Sequence, residues 1–442
     1  MAPRDDDFLG AADRIGSQLA RDALWHGTRC NWTGDSMEFL EGHWQVAHRA
    51  LGCDLYGGTS GVALFLGRLA AATGERLYAK VAAGALEQAT ARVETLKAGA
   101  RSGFYAGALG VAWTGVRVGL MIDAPRAVER SCALLQALAA EPLDAEGLDV
   151  TSGSAGAIGG LLDLADALAH DSALAATLRA DAIRHGERLV ATAKRSDRGL
   201  SWPGPGAGRG LCGLSHGAAG YAWALLALHR ASGRSAFREA AGDALRYERS
   251  WFDVREQNWP DLRSLDDAGD GASNSVGPGV LGAGRLGFMS AWCHGAPGIA
   301  LARLASHALG GGEDCLVEAA TAARTTAATT RLALASTQGN YSLCHGLAGN
   351  ADVLLEAGRR LADPAMQAMA FDIGRAGLAL HVRTAAPWPC GVLGGGETPS
   401  LMLGLAGIGH FYLRLHNPAL PTVLLVPMPV DGERPAVAPL TP

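Results

Sequence analysis

The sequence predicts an all-α fold, an α/α toroid or barrel of seven helical hairpins with glycine-rich loops gathered at one end. Three observations lead there. A Gly-x-x-Gly unit recurs seven times along the 442 residues, most copies run into a stretch that is apolar nearly all round, and the segments between those stretches are more polar at helical spacing. Repetition of this kind marks a fold assembled from like units that bury their apolar faces against one another.

The units are Gly58-Thr-Ser-Gly61, Gly107-Ala-Leu-Gly110, Gly153-Ser-Ala-Gly156, Gly217-Ala-Ala-Gly220, Gly295-Ala-Pro-Gly298, Gly346-Leu-Ala-Gly349 and Gly404-Leu-Ala-Gly407. The runs after them, such as Tyr221-Ala-Trp-Ala-Leu-Leu-Ala-Leu and Ile299-Ala-Leu-Ala-Arg-Leu-Ala, are apolar nearly all round and predict buried inner helices. Leu86 to Lys97, Ala173 to Lys194 and Phe237 to Tyr247 carry Arg, Lys and Glu at helical spacing and predict outer helices. Glycines three apart at a helix start permit close backbone approach and leave free N–H groups at the helix mouth. Seven such mouths ring a common centre. Period-2 alternation of Val, Ile and Thr hardly appears, so strands are not predicted. Asp261 to Gly282, rich in Asp, Gly and Ser, reads as a loop. Residues 1–426 read as a single domain, with a proline-rich tail from Pro427 to Pro442.

Composition narrows the function classes. Hydrophobic residues make up 48%, enough for a large core, and 38 Lys+Arg stand against 43 Asp+Glu for a net charge of -5. That balance suggests neither nucleic acid nor an anionic membrane as partner. The N-terminus lacks a basic region leading into an apolar one, so the cytoplasm is the expected compartment. Apolar stretches such as Val62 to Leu66 are cut by Gly and Arg long before the roughly 20 residues a membrane helix needs. Eight scattered cysteines lack the dense spacing of a disulfide framework.

Three units are marked by polar residues just upstream: Leu214-Ser-His216, Trp292-Cys293-His294 and Leu343-Cys344-His345. Cys and His are the preferred ligands of zinc, and a catalytic site takes three while leaving a fourth position open. Cys293, Cys344 and His345 supply that set, with one zinc ion per chain expected. No spacing rule produces this site. If every unit sits at one level of a barrel, the fifth and sixth are neighbours and their cysteines reach one ion. Zinc stabilises thiolate near neutral pH, so the chemistry expected is thiol activation. His216 faces the same mouth and suits proton transfer. Asp149, four residues before Gly153, either orients His216 or serves as an ordinary loop or capping carboxylate.

Trp292-Cys-His-Gly-Ala-Pro-Gly298 and Cys344-His-Gly-Leu-Ala-Gly349 are the most specific parts of a resemblance to the LanC-like lanthionine synthetase cyclases. The likeness runs from Asp54-Leu-Tyr-Gly-Gly-Thr-Ser-Gly61 to Leu403-Gly-Leu-Ala-Gly-Ile-Gly409. It implies an α/α toroid with zinc on Cys293, Cys344 and His345. It also implies a reaction, the addition of a peptide cysteine thiolate to the β-carbon of dehydroalanine or dehydrobutyrine to close a thioether ring. The enolate then takes a proton, for which the family's candidates map onto His216 and Asp149, while His294 falls at a position near the metal. Stand-alone relatives tend to carry an arginine four residues before the first zinc cysteine; Met289 stands there, with Arg285 a turn further back. That departure places the chain nearer the cyclase domains of class II synthetases. The partners implied are a dehydrated ribosomal precursor peptide and a separate dehydratase. The alternatives are a prenyltransferase-like zinc alkyltransferase, whose Asp-Cys-His set differs from this one, and a non-catalytic peptide-binding scaffold.

Overall fold

In a computed structural model, which describes residues 7–40, 43–97, 99, 101–143, 147–204, 209–265, 286–336 and 339–427, every glycine unit starts a helix. Gly58 precedes α2 (Thr59–Thr73), Gly107 α4 (Ala108–Met121) and Gly153 α6 (Ser154–Ala167). Gly217 precedes α8 (Ala218–Ser232), Gly295 α10 (Ala296–Ala308), Gly346 α12 (Leu347–Arg360) and Gly404 α14 (Leu405–His416). These are the inner helices. From Ala218 through Leu228 every residue of α8 is buried, as the unbroken apolar run requires. Around the axis they follow in sequence order, each packed on the next, and α14 returns to α2 to close the ring.

The outer layer consists of α1 (Phe8–Arg21), α3 (Arg76–Ala91), α5 (Pro125–Ala139), α7 (Ser172–Thr192), α9 (Ser235–Arg249), α11 (Glu313–Ser336) and α13 (Pro364–Gly377). Six outer helices back the inner helix just before them in the chain. The seventh hairpin is different: α1 backs α14, so its two halves come from opposite ends of the described chain. Phe8 seals the pair, its ring 6.0 Å from Tyr412 and 5.9 Å from Phe371. The segment expected to be helical through Lys97 leaves α3 at Ala91 and finishes in a short 3₁₀ turn, Val93–Thr95.

The second glycine of each unit explains why the repeat is needed. A methyl group on Gly61, Gly110, Gly156, Gly220, Gly298, Gly349 or Gly407 would overlap the carbonyl oxygen six residues earlier. Each loop therefore folds back directly onto the first turn of its own helix, and only glycine lets it lie there.

Among the described residues three antiparallel hairpins decorate the helices: β1 (Leu24–His26) with β2 (Arg29–Asn31), β3 (Thr33–Leu40) with β4 (His43–Ala50), and β5 (Lys194–Ser196) with β6 (Gly199–Ser201). The sequence did not announce them because β1 and β5 are exposed throughout and carry no buried-face alternation. Behind α14, residues 422–426 are buried inside the ring. Arg68 of α2 donates to the Pro421 carbonyl, Tyr105 to that of Val423 and the Trp292 indole to that of Leu424. Partners from opposite sides of the toroid thus grip one strand of chain, which plugs its centre. The described chain ends at Pro427, so the rest of the expected tail lies outside the described residues, as do residues 266–282 of the expected loop. Among the described residues no helix is long and apolar enough to cross a membrane.

Candidate functional site

The residue two before the first glycine of each unit is Tyr56, Tyr105, Thr151, Ser215, Cys293, Cys344 or Met402. These residues share one level. Met402 N–H donates to the Tyr56 carbonyl at 3.0 Å, Tyr56 to Tyr105 at 2.8 Å, Tyr105 to Thr151 at 2.9 Å and Cys344 to Met402 at 2.9 Å. One residue earlier, Val150 donates to Ser215 at 3.0 Å and Trp292 to Cys344 at 2.9 Å. The glycine loops are laced into a backbone collar that satisfies their own polar groups and fixes their height.

Cys293 and Cys344 hang from adjoining stations of that collar, and their thiols hydrogen-bond each other. Gly295, at φ +89°, makes the turn that presents Cys293; a side chain there would be strained and would strike the Met289 carbonyl. The bond from Cys344, helped against burial by the nearby charges of His216 and Arg263, lowers Cys293 to about 7. The same bond, with burial, pushes Cys344 well above the ordinary thiol range. The pair thus favours thiolate on Cys293 and a retained proton on Cys344. Two soft donors in contact suit zinc. His345, adjoining Cys344 in the chain, instead donates from Nε2 to the Gly391 carbonyl at 3.1 Å. Among the described residues no three Cys, His, Asp or Glu side chains converge as a ready-made metal cage. The dithiol of the expected triad is assembled; its imidazole is turned to Gly391.

His216 and Asp149 are brought together, with Nδ1 2.7 Å from Oδ2. The other carboxylate oxygen of Asp149 accepts the Ser152 N–H at 2.7 Å, so the carboxylate is held by its own loop. Burial disfavours the charged imidazole, yet the bond and charge of Asp149, with Cys293, outweigh it and raise His216 above its usual pKa. His294 has the opposite environment. Burial and the charge of Arg263 lower it to about 3, it hydrogen-bonds the Cys212 backbone, and its ring lies 5.6 Å from that of His216. It is neutral at physiological pH and serves the site as a neighbour of His216.

Sequence reasoning missed three contributors. The Tyr56 hydroxyl bonds Cys344, and its register, equivalent to the two cysteines, was the signal that could have found it. Glu248 of α9 is fully buried and accepts the N–H groups of Gly213 at 2.7 Å and Ala219 at 3.2 Å, pinning both sides of the His216 loop while Arg303 pairs with it at 2.8 Å. Arg263 carried no signal. Its guanidinium pairs with Asp261 at 2.6 Å and reaches Met289 Sδ at 3.5 Å, so a cation from another segment stands at the position where the resemblance led us to expect one. Arg285 lies outside the described residues.

His216 and Arg263 line a cleft of about 1310 Å³ that extends along residues 52–54 and the end of α3 to the hairpin β1–β2. A ring of α/α hairpins whose glycine collar presents a dithiol beside a His–Asp pair defines a toroid of the cyclase type. The family model described as lanthionine synthetase C-like protein matches residues 49–427, and the chain belongs to that family. Among solved structures it is similar to nisin cyclase, with a TM-score of 0.55 and 17% identity over 93% of this chain and 95% of that one. A comparison with curated proteins finds no match.

Proposed function

We propose that the protein is a zinc-dependent lanthipeptide cyclase that adds peptide cysteine thiols to dehydroalanine or dehydrobutyrine, forming lanthionine and methyllanthionine rings. The contact between Cys293 and Cys344 at the collar carries the reading, because paired thiols on adjoining loops of a toroid have no packing purpose that two apolar residues would not serve better. Cys293 and Cys344 would hold the ion, with His345 giving up the Gly391 carbonyl to complete the set. Bound there, zinc would supply the charge that lowers the pKa of an incoming thiol.

The chain's own residues account for the proton. Sulfur bonds to the β-carbon, the π pair moves to the α-carbon, and the proton released by the thiol is replaced on that carbon, so the addition consumes no other reagent. His216, whose protonated form Asp149 favours, stands on the collar near Cys293 and delivers that proton. Arg263 holds positive charge at the same end of the cleft, where the enolate's charge develops. The substrate is a dehydrated ribosomal peptide supplied by a separate dehydratase.

Metal analysis of the purified protein checks the reading, with about one zinc per chain expected and the metal lost from both Cys293→Ala and Cys344→Ala. Incubation with dehydrated precursor should consume free thiols without changing peptide mass. Zinc-free protein that still closes rings would remove the metal from the reading, and zinc-loaded protein that leaves every thiol free across a panel of precursors would remove the reaction.

A further inference from the structure

We propose that the outer cleft binds an acidic stretch of the peptide substrate, a recognition site separate from the reacting centre. Arg29, Arg49, Arg92 and Lys97 line it, and Asp54 is the one carboxylate among the lining residues. In a chain where acids outnumber bases, 43 to 38, this local excess of cations runs against the background. Arg49 is partly answered by Glu38, with which it pairs. Among the described residues Arg29, Arg92 and Lys97 form no ion pair, and Arg92 and Lys97 are exposed. Asp54 forms no ion pair with Arg29, Arg92 or Lys97; its carboxylate accepts the Gly57 N–H at 2.7 Å within its own turn, and its charge bears on Arg49.

Like charges gathered on one wall repel each other, and a partner of opposite charge relieves that repulsion. The volume exceeds the roughly 300–1,000 Å³ of small-ligand sites, which fits a length of peptide better than a metabolite. The same cleft ends at His216, so a peptide anchored by its acidic segment is already threaded toward the collar. The net charge of -5 disfavours a nucleic acid as the polyanion. This assignment of the partner rests on the cyclase reading, while the cation site rests on the cleft itself.

The test is fluorescence anisotropy of labelled deca-glutamate and deca-lysine peptides with the full-length protein, at low salt and at roughly 0.5 M salt. Deca-glutamate should bind and weaken with salt, deca-lysine should not, and Arg92→Gln combined with Lys97→Glu should lower deca-glutamate affinity about tenfold. Both positions are exposed, and circular dichroism of the double variant confirms that it is folded. Unchanged affinity in the folded variant, equal binding of deca-lysine, or tighter binding of a single-stranded oligonucleotide of equal charge overturns the proposal. Cys293→Ala separates the two ideas: it should lose ring closure and keep deca-glutamate binding. Wild-type protein that binds the acidic peptide but closes no ring overturns only the cyclase reading; one that closes rings with no preference for the acidic peptide overturns only this site.

Discussion

His216 shows how a single contact decides what a residue can do. Burial alone would leave its imidazole neutral, as it leaves His294 at about 3, and the bond to Asp149 reverses the outcome. Because its pKa is raised above the unfolded value near 6.5, its stabilising charge interaction is fully present below that pH and is lost as pH rises through the folded value. Asp149→Asn removes the main opposition to burial, so the His216 titration followed by NMR should move to lower pH, and the basic limb of the ring-closure rate should move with it. A titration that stays in place would show that Asp149 does not set the proton donor. The sequence made Cys293, Cys344, His216 and Asp149 legible because they flank glycine units whose common level could be reasoned out. Arg263 was illegible: it reaches Met289 only through the path of a loop, and no periodicity encodes such a path.

The glycine units act at the scale of the helix. Each inner helix begins where its loop's carbonyl presses on the first turn, so Gly298→Ala, which would overlap the Trp292 carbonyl, should destabilise the protein by about 2 kcal/mol or more in chemical denaturation. Gly242 in α9 provides the contrast. Nothing lies near a side chain added there, and Gly242→Ala should raise stability by about 0.5–1 kcal/mol through helix propensity. Equal effects at the two sites would mean that the repeat serves something other than the close approach. Most inner helices were legible because their burial on every side leaves an apolar run, whereas α12, with Asn350, Asp352 and Glu356 buried along it, was marked by its glycine unit. The hairpins β1–β2 and β3–β4 were not legible, since their described residues show no sustained alternation of buried and exposed positions; yet both line the cleft.

At the scale of the molecule, the toroid holds together through its last described residues. The repeat predicted a ring, but neither the pairing of α1 with α14 nor the plug of residues 422–426 could be read from it, because both join positions hundreds of residues apart. Leu424 is fully buried, and Leu424→Ala should cost about 2–5 kcal/mol, measurable as a lowered denaturation midpoint with loss of the Trp292 near-ultraviolet signal. An unchanged midpoint would show that the ring stands without its plug.

That plug also sets a timetable. During synthesis α1 meets α2 and α3 early but lacks its main partner until α14 leaves the ribosome, and the centre is filled only when the segment behind α14 emerges in turn. Until then the apolar faces of the inner helices stay open, and the two thiols wait on loops whose collar is unlaced. The newborn chain therefore stays open to aggregation until that segment has emerged. Its reactive cysteines gain their paired environment in the same late event that closes the ring.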